Sequence, residues 1–395
     1  MDKNDNYDVV IIGGGIIGLS AAYYAAASGK KTLLIEAKDL FHDYGGSGGE
    51  SRFFRMIYSN RGMAQLAETS YALWQQIESY SGLELIKKTP VLFFGDKNIG
   101  ETVEGDFATA DSVMDSLGMP YQKLNSSQLL KTIPAFKAVP RSFSGLMQEN
   151  SGYIKVQNAL KAFYDLASRH GAKFLKEKVV SIESKKNKKN NFIIKTETQK
   201  IVSKKIILAL GAWTNELTHT LGVTFNLKIW QMTIGYYKIL SKKYEYPLWY
   251  EFGVSKKKHQ NLFYGFPEYE QPGFLKVSAD FTNHQYDHVS QCTRVPDESL
   301  LKLIGKHVSQ RFKFVAPEAE FKKTCLYAMS ADYTIILGLL PSSKHISILT
   351  GESGRAFKYA PLFGRILNEL VFNGHTEYNI DCFSIYRNKL LARSR

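Results

Sequence analysis

Short apolar runs alternate with longer segments of helical periodicity along this chain of 395 residues. The first run, residues 8–12, precedes the glycine-rich stretch 13–18, and a second apolar run ends at Glu36. Apolar residues spaced three and four apart predict helices over 62–81, 156–170, 297–311 and 357–372. Strands that alternate with helices in this way are typical of an α/β fold with a parallel sheet.

The glycine-rich stretch follows the pattern G-x-G-x-x-G at the point where a helix opens. Gly13 permits a tight turn, Gly15 lets the backbone approach a pyrophosphate, and Gly18 lets the helix pack closely on the strand. Glu36 ends the second strand, where a carboxylate holds ribose hydroxyls. The combination predicts a bound dinucleotide, and the alternative is a glycine-rich turn of some other α/β protein.

Shorter patterns predict strands elsewhere, over 87–94, 173–175, 178–183, 191–196 and 199–203. The segment 205–213 is a buried strand that ends in a glycine turn, so we expect it to return to the nucleotide edge of the parallel sheet. Residues 228–280 are rich in aromatic and β-branched residues, which predicts a second, antiparallel sheet.

Composition fits a globular protein of two domains, with 44% hydrophobic and 22% charged residues. No apolar run reaches the roughly 18 residues of a membrane span, and the N-terminus lacks signal-peptide features. The three cysteines suit a reducing compartment, and the expected location is the cytoplasm. The formal net charge of +14 is carried in part by lysine runs at 185–189 and 256–258, which we interpret as solvated turns.

Three further segments carry chemistry: GGESRFFR at 48–55, TCLYAMSAD at 324–332 and TGESGRAFK at 350–358. Shorter matches follow the same order, with NSG at 150–152, LGAW at 210–213 and YGFP at 264–267. Together with the glycine motif, they make the chain resemble the monomeric sarcosine oxidase family of flavin amine oxidases over nearly its whole length. The resemblance implies that the dinucleotide is FAD.

The resemblance also implies a fold class, α/β plus antiparallel β. We expect an FAD-binding Rossmann-like domain of the glutathione-reductase type with an inserted mixed-sheet substrate domain. The FAD-binding domain is predicted at 1–82, 151–222 and 322–395, and the substrate-binding domain at 83–150 and 223–321.

The resemblance assigns residues to the cofactor site. Cys325 matches the cysteine that bonds covalently to the flavin 8α-methyl, a reaction that needs a thiolate; the alternative is a small buried core residue. Arg52 matches an arginine against the flavin, where a cation stabilises the reduced anionic ring. Other predicted cofactor-binding residues are Ser51, Gly211, Trp213, Gly351, Gly354 and Lys358, besides the glycines and Glu36 of the N-terminal motif. No metal ligand set is predicted.

Arg55 and Lys358 match the pair that holds the substrate carboxylate in the family. A guanidinium grips a carboxylate through two parallel hydrogen bonds, whereas an ammonium acts as a point charge. Lys276 matches the lysine that activates O₂, because a fixed positive charge stabilises the developing superoxide. Tyr264 and Tyr327 match aromatic residues that shape the pocket beside the flavin.

Several positions depart from the sarcosine-type pattern. Gly48 and Asp280 stand where histidines are expected, Asn60 replaces a glutamate, and Trp249 replaces a methionine over the pocket. These differences put sarcosine itself in doubt. An acid at 280 could pair with a cationic distal group on a larger amino acid.

The predicted activity is oxidation of the C–N bond of an amino acid, with a secondary or N-substituted amine as the resemblance implies, to an imine with reduction of O₂ to H₂O₂. The expected protein is a monomer that acts on a small molecule, without a nucleic acid or membrane partner. One alternative is a flavoenzyme that oxidises an N-substituted glycine on tRNA, which the net charge of +14 would suit. Another is a flavin-binding protein that has lost catalysis.

Overall fold

The computed structural model describes residues 6–96, 98, 102–184, 191–253 and 260–391. The two lysine runs, at 185–189 and 256–258, lie outside the described residues. In the described part of the chain, no helix combines the length and apolar composition needed to cross a membrane.

The strands are, in chain order, β1 (Asn6–Ile12), β2 (Thr32–Glu36), β3 (Ser51–Phe54), β4 (Ile86–Lys88), β5 (Val91–Asp96), β6 (Gln122–Asn125), β7 (Phe143–Gln148), β8 (Gly152–Lys155), β9 (Lys173–Lys176), β10 (Val179–Ser184), β11 (Phe192–Thr196), β12 (Lys200–Leu208), β13 (Leu227–Ile239), β14 (Leu248–Phe252), β15 (Leu262–Phe266), β16 (Phe274–Ala279), β17 (Gln285–Tyr286), β18 (Val315–Ser330), β19 (Ile336–Leu340) and β20 (Ser343–Thr350). The α-helices are α1 (Ile16–Ala27), α2 (Arg61–Ser81), α3 (Phe107–Ser116), α4 (Ser126–Thr132), α5 (Val156–Arg169), α6 (Thr214–Thr218), α7 (Glu298–Arg311) and α8 (Ala360–Asn373).

The first sheet has the order β10-β11-β12-β1-β2-β9, and β20 pairs with β12. The pairs β12–β1, β1–β2, β2–β9 and β12–β20 are parallel, as expected of a dinucleotide-binding sheet. Successive residues of β1 enter different cores: Val9 and Ile11 pack under the helices α1, α5 and α8, whereas Val10 and Ile12 pack on the other face. A strand buried on both faces explains the uninterrupted apolar run near the start of the sequence.

The second sheet has the order β17-β13-β16-β15-β14-β5-β7-β6, and the long strand β18 also pairs with β13. Its pairs are antiparallel except β14–β5, which is parallel. A small antiparallel sheet, β3-β8-β4, completes the fold. The predicted class, a Rossmann-like domain with a second mixed sheet, is confirmed.

Several predicted elements differ in extent from the observed ones. The strand predicted over 87–94 is two strands, β4 and β5, in two different sheets. Pro90 lies between them, and because proline lacks an N–H group it cannot continue a ladder. The strand predicted at 199–203 and the strand of the segment 205–213 form one strand, β12, which pairs with β11 at its start and with β1 from Val202 to Leu208.

One of the predicted domain boundaries falls inside a strand of the second sheet. The boundary at residue 322 lies inside β18, whose pairing with β13 continues to Ser330. The division into two domains stays a prediction.

The helix predicted over 357–372 begins at Ala360, because residues Ala356–Tyr359 form a 3₁₀ turn before it.

Candidate active site

A cavity of about 600 Å³ opens at the carboxyl ends of β1 and β2. The glycine motif, the end of β2, the turn after β12 and the segment before α8 line it. Predicted cofactor-binding residues in its wall are Gly13, Gly15, Glu36, Arg52, Gly211, Trp213 and Gly354. We call this the outer cavity.

The motif glycines are required by close backbone approaches. Gly13 has φ +109°, and a Cβ there would lie 2.3 Å from the Ala209 carbonyl oxygen. A Cβ on Gly18 would lie 1.8 Å from the Gly13 carbonyl oxygen, so helix α1 could not pack against the turn. A Cβ on Gly15 would lie 2.9 Å from Ser47 Oγ, which accepts a hydrogen bond from the first N–H of α1. The geometry agrees with the three roles predicted for these glycines.

Glu36 is held at the rim of the outer cavity by backbone groups. Its carboxylate accepts hydrogen bonds from the N–H groups of Gly14 at 2.6 Å and Lys38 at 2.9 Å. Burial opposes its charge, but hydrogen bonds from His42 and these N–H groups hold the pKa of Glu36 below its ordinary value. An ionised carboxylate at this position suits ribose hydroxyls.

These features test whether FAD fits the outer cavity. The glycine cradle leaves no room for side chains where a pyrophosphate would approach, the N-terminus of α1 faces it, and Glu36 is placed for a ribose. The residues present therefore fit a dinucleotide such as FAD.

A second, smaller cavity of about 50 Å³ adjoins the first, and we call it the inner cavity. The two share Arg52, Tyr327, Gly354 and Phe357 in their walls. The inner cavity is further lined by Ser51, Glu104, Tyr250, Tyr264, Lys276, Asp280, Cys325 and Lys358. Most of the residues predicted to act on the substrate are thus brought together where the two cavities meet.

Arg52 lies on β3 with its guanidinium held by main-chain oxygens. It donates hydrogen bonds to the carbonyls of Ser51 at 2.8 Å and Gly46 at 2.9 Å, and to that of Gly48. The Phe357 ring lies 5.6 Å from the guanidinium carbon. These contacts fix a positive charge at the boundary between the cavities.

Lys276, on β16, is buried in a hydrogen-bond network. Its Nζ donates to Glu270 at 2.6 Å and to Ser51 Oγ at 3.0 Å. Glu270 also accepts from Ser51 Oγ and from the Tyr236 hydroxyl, each at 2.5 Å. Burial lowers the pKa of Lys276 and the Glu270 carboxylate partly restores it.

Cys325, on β18, lines the inner cavity and is 9% exposed. Burial raises the pKa of its thiol, whereas the positive charges of Arg52 and Lys276 oppose that rise. The cations expected beside this cysteine are therefore present, but burial outweighs them in the structure described.

Arg55 follows β3 and is fully buried. It forms an ion pair with Glu104 and donates a hydrogen bond to the Ile57 carbonyl. Its guanidinium lies 4.0 Å from the centre of the Tyr58 ring and 5.1 Å from that of Tyr250. The Glu104 carboxylate therefore already pairs with the guanidinium that the resemblance assigns to the substrate carboxylate.

Lys358 and Arg355 flank this ion pair. Lys358 is 5% exposed, its Nζ contacts the Arg355 carbonyl at 3.5 Å, and burial lowers its pKa. Arg355 Nε lies 3.5 Å from Glu104, and its Nε and Nη2 have no hydrogen-bond partner among the described residues. Burial opposes the charge of Glu104, but Arg55, Arg355 and Lys358 together lower its pKa to about 2.

Asp280 and two tyrosines close the inner cavity. Burial, reinforced by the Glu104 charge, raises the pKa of Asp280 well above its ordinary value. Its Oδ2 has no hydrogen-bond partner in the described part of the chain. The hydroxyls of Tyr264 and Tyr327 are 3.4 Å apart. Asp280 therefore faces the cavity with its neutral form favoured by burial and with a carboxyl oxygen available for a hydrogen bond.

The structure does not bring Trp249 to the site. This residue is fully buried on β14, where its ring packs against Phe94 and Phe312 on the far face of the second sheet. Because side chains alternate along a strand, its neighbour Tyr250 lines the inner cavity instead. Gly351, with φ +58°, lines neither cavity, and a Cβ there would lie 3.1 Å from Ser330 Cβ and 3.2 Å from Ile336 Cδ1.

Two of the departures from the family pattern have local explanations. A Cβ on Gly48 would lie 2.7 Å from Asp43 Cα, so the loop leaves no space for a larger residue. Asn60 is the N-cap of α2, where its Oδ1 accepts a hydrogen bond from the Met63 N–H at 3.0 Å.

Sequence reasoning missed Glu104, Glu270, Ser47 and Tyr250. Glu104 lies in a turn before α3 and Glu270 in the connection between β15 and β16. Charged residues in polar connections carry no periodicity that would mark them as buried. Tyr250 could have been found only if the alternation of β14 had been assigned to the correct face.

Comparisons with known proteins agree with this site. The family model described as FAD dependent oxidoreductase matches residues 8–370. The chain is 26% identical over 400 residues to monomeric sarcosine oxidase of Arthrobacter sp. (strain TE1826), covering 98% of each chain. It is 28% identical over 399 residues to human peroxisomal sarcosine oxidase, covering 99% of each.

Among solved structures, the open form of NikD, described as an unusual amino acid oxidase essential for nikkomycin biosynthesis, matches with a TM-score of 0.86 and 28% identity. This match covers 96% of the present chain and 98% of NikD. The predicted resemblance and the prediction of an FAD-dependent amine or amino acid oxidase are confirmed. On these grounds the chain belongs to the FAD dependent oxidoreductase family.

Proposed function

We propose that this protein oxidises the C–N bond of an N-substituted amino acid to an imine and passes the electrons to O₂. Loss of a hydride from carbon and a proton from nitrogen forms the C=N bond. O₂ gains the two electrons and two protons and becomes H₂O₂. The imine then hydrolyses in water.

One observation carries this proposal: the inner cavity meets the outer cavity through Arg52, Tyr327, Gly354 and Phe357. FAD, when bound, supplies the acceptor for the hydride. Residues at this boundary would contact both the cofactor and a molecule in the inner cavity. The similarity to sarcosine oxidases and NikD supports an amine as that molecule.

The charges of the inner cavity favour a substrate with a carboxylate. Arg55, Arg355 and Lys358 are basic, and among the described residues around them Glu104 is the acid whose ionised form is favoured, because burial disfavours the charge of Asp280. Since a buried charge is costly without a partner, a substrate carboxylate would complement the surplus. Lys358 and Arg355, whose Nη2 has no hydrogen-bond partner among the described residues, are better disposed to bind it than Arg55, whose guanidinium donates to Glu104 and to the Ile57 carbonyl.

The amine of the substrate must be neutral before it can lose a hydride. The cations around the inner cavity favour this by lowering the pKa of a bound ammonium. Lys276 and Arg52 would stabilise negative charge as O₂ is reduced, and the burial of Lys276 strengthens its effect.

A covalent link between Cys325 and FAD is part of the proposal. The thiol lies in the inner cavity, and Arg52 and Lys276 favour the thiolate that the reaction needs. A monomeric state and a cytoplasmic location stay predictions from the sequence.

The experiment starts with the purified protein denatured in acid. We expect the yellow colour to stay with the polypeptide, and to be released after Cys325→Ala. Cys292→Ala is the matched control, because Cys292 is partly exposed and lines neither cavity. Flavin released freely from the unaltered protein would contradict the covalent link.

A screen of secondary and N-methyl amino acids then follows the release of peroxide. We expect activity with substrates that carry an α-carboxylate and none with the matching amines that lack it. Amines without a carboxylate that react equally well would contradict the proposed carboxylate site. Failure of the bound flavin to bleach with every amine would contradict the enzymatic function.

A further inference from the structure

The ion pair of Lys276 and Glu270 is almost withdrawn from water. The side chains are 6% and 2% exposed, and Nζ lies 2.6 Å from Glu270 Oε1. Glu270 comes from the connection between β15 and β16, six residues before Lys276. The predicted O₂-activating lysine is therefore paired with an acid of the protein.

Both oxygens of the Glu270 carboxylate accept hydrogen bonds from neighbouring side chains. Lys276, Ser51 and Tyr236 all donate to it, and they come from β16, β3 and β13. Tyr236 is also the register partner of Lys276 in the β13–β16 pair. A carboxylate held by three strands fixes the ammonium in one position.

Neither charge is stable here without the other. An isolated ammonium or carboxylate in a dry site neutralises instead of paying the cost of desolvation. Burial opposes the charge of Glu270, but Lys276 and the hydrogen bonds from Ser51 and Tyr236 lower its pKa to about 2. Burial lowers the pKa of Lys276, and Glu270 acts against that fall.

Other groups around Lys276 act more weakly on its charge. Arg52 on β3 lowers the pKa of Lys276, and Cys325 on β18 raises it. On β13, Tyr236 bonds to Glu270, and burial with the Glu270 charge raises its pKa, so it stays protonated. Beyond this shell, Glu50 and Lys323 lie 3.9 Å apart at the surface.

We propose that Glu270 is a positioning residue that holds the Lys276 ammonium in one place and keeps it protonated, so that its positive charge is available beside Arg52 when O₂ is reduced. This inference rests on the proposed function, in which Lys276 assists the reduction of O₂. It adds a control on that step, because the ion pair keeps the lysine charged over a wide pH range.

Glu270→Gln tests the inference, because glutamine keeps the shape and an acceptor oxygen while it removes the charge. Glu268→Gln is the matched control. Glu268 lies in the same connection, is exposed and accepts a hydrogen bond from the Gly273 N–H at 2.7 Å, which a glutamine oxygen would preserve. Lys276→Met and the double variant Glu270→Gln/Lys276→Met complete the set.

The first readout is the melting temperature of the flavin-bound protein between pH 6 and pH 10. In Glu270→Gln the folded pKa of Lys276 falls further below its unfolded value of about 10.4. The unfolded state then binds more protons, so stability rises with pH between the two values. We expect a lower melting temperature than the unaltered protein at pH 6, and a deficit that shrinks as the pH rises toward 10.

The second readout is the rate at which the reduced enzyme is reoxidised by O₂. The unaltered protein should give a flat profile from pH 6 to pH 9. Glu270→Gln should show a new titration in that range, with the faster rate on the acid side where Lys276 keeps its proton. The double variant should lose this titration, because the titrating lysine is gone.

The outcomes separate the two levels of the proposal. If Lys276→Met leaves reoxidation unchanged, the role of Lys276 in the proposed function fails, while the melting data still decide whether Glu270 controls its protonation. The inference about Glu270 is overturned if the loss of melting temperature in Glu270→Gln does not change with pH, or if it equals the loss in Glu268→Gln. If the loss of melting temperature shrinks as the pH rises but the reoxidation rate shows no new titration, the link between Glu270 and the reduction of O₂ is overturned.

Discussion

At the scale of single residues, Glu104 has the largest effect on how the inner cavity can be used. It brings a carboxylate to Arg55 and Arg355 before any substrate arrives. The three cations around it hold it ionised, and it reinforces the protonation of Asp280. A substrate therefore meets the Glu104 carboxylate and an acid whose charge is disfavoured, Asp280, beside three basic side chains.

Glu104→Gln should change both stability and binding. It leaves Arg55 buried without a countercharge, so the free energy of unfolding should fall by about 3 kcal/mol. The extra positive charge should lower the KM of a carboxylate-bearing substrate by roughly a factor of ten, equivalent to ~1.4 kcal/mol. Urea unfolding and steady-state kinetics on the same preparations measure the two effects.

The control is Glu84→Gln, which removes an ion pair with Lys155 at the surface. It should cost less than about 1 kcal/mol and leave the KM unchanged, because exposed pairs contribute little. A higher KM in Glu104→Gln would mean that Glu104 binds the substrate amine and does not merely compete for the cations.

The sequence identifies the motif residues of the site, but it does not identify the buried acids that pair with them. Residues such as Arg52, Lys276, Cys325 and Lys358 belong to motifs, so the resemblance identifies them, and the structure brings them to one place. Glu104 and Glu270 belong to connections, and only the folded chain brings them to those motif residues. Their burial depends on contacts between segments far apart in sequence, which no local pattern encodes.

At the scale of elements, helix α1 is closely packed on several sides. It packs against α5 and α8, and its first turn closes on the main chain of the glycine loop. A Cβ on Gly364 of α8 would lie 2.1 Å from Ser20 Oγ of α1, so glycine is needed at this helix crossing as well.

Gly18→Ala should therefore disrupt the outer cavity without touching its wall. The added methyl meets the Gly13 carbonyl, and overpacking of this kind costs about 1–3 kcal/mol or more. We expect lower stability in urea and a flavin content well below one per chain. Gly338→Ala is the control, because its Cβ would lie 3.4 Å from Ile385 Cγ2, an ordinary contact, and Gly338 lines neither cavity. Equal flavin content in the two variants would contradict the prediction.

Element prediction succeeded where one periodicity ran without interruption. The helices over 62–81 and 156–170 correspond to α2 and α5, whose apolar stripes face the core. It was least accurate where a segment changes partners, as at Pro90 between two sheets. A strand's assignment to one sheet or another is set by long-range pairing, so the sequence predicted the two strands as one.

At the scale of the whole molecule, buried acids make stability depend on pH. The pKa values of Glu104 and Glu270 are both lowered to about 2, by Arg55 and its neighbouring cations and by Lys276, although burial opposes each charge. Both are therefore ionised in the folded protein at every pH at which it is expected to work.

Acid should unfold the protein through these two groups. Because their folded pKa values are depressed, their stabilisation is present above the unfolded value of about 4.3 and is lost as the pH falls toward 2. Each contributes on the order of 3 kcal/mol at neutral pH. The free energy of unfolding, measured in urea at pH 6, 5, 4 and 3, should fall steeply below pH 5. The double variant Glu104→Gln/Glu270→Gln should show a shallower fall, and an unchanged slope would contradict the assignment.

The pairing of β12 with both β1 and β20 has a consequence for biosynthesis. Residues Val10 to Ile12 and Ile346 to Ile348 flank one strand of the same sheet, and the wall of the outer cavity runs from Ile12 to Phe357. A ribosome must therefore translate most of the chain before the sheet can close. Cofactor capture is then a post-translational event, and when flavin supply is short the cell accumulates full-length apoprotein and not arrested nascent chains.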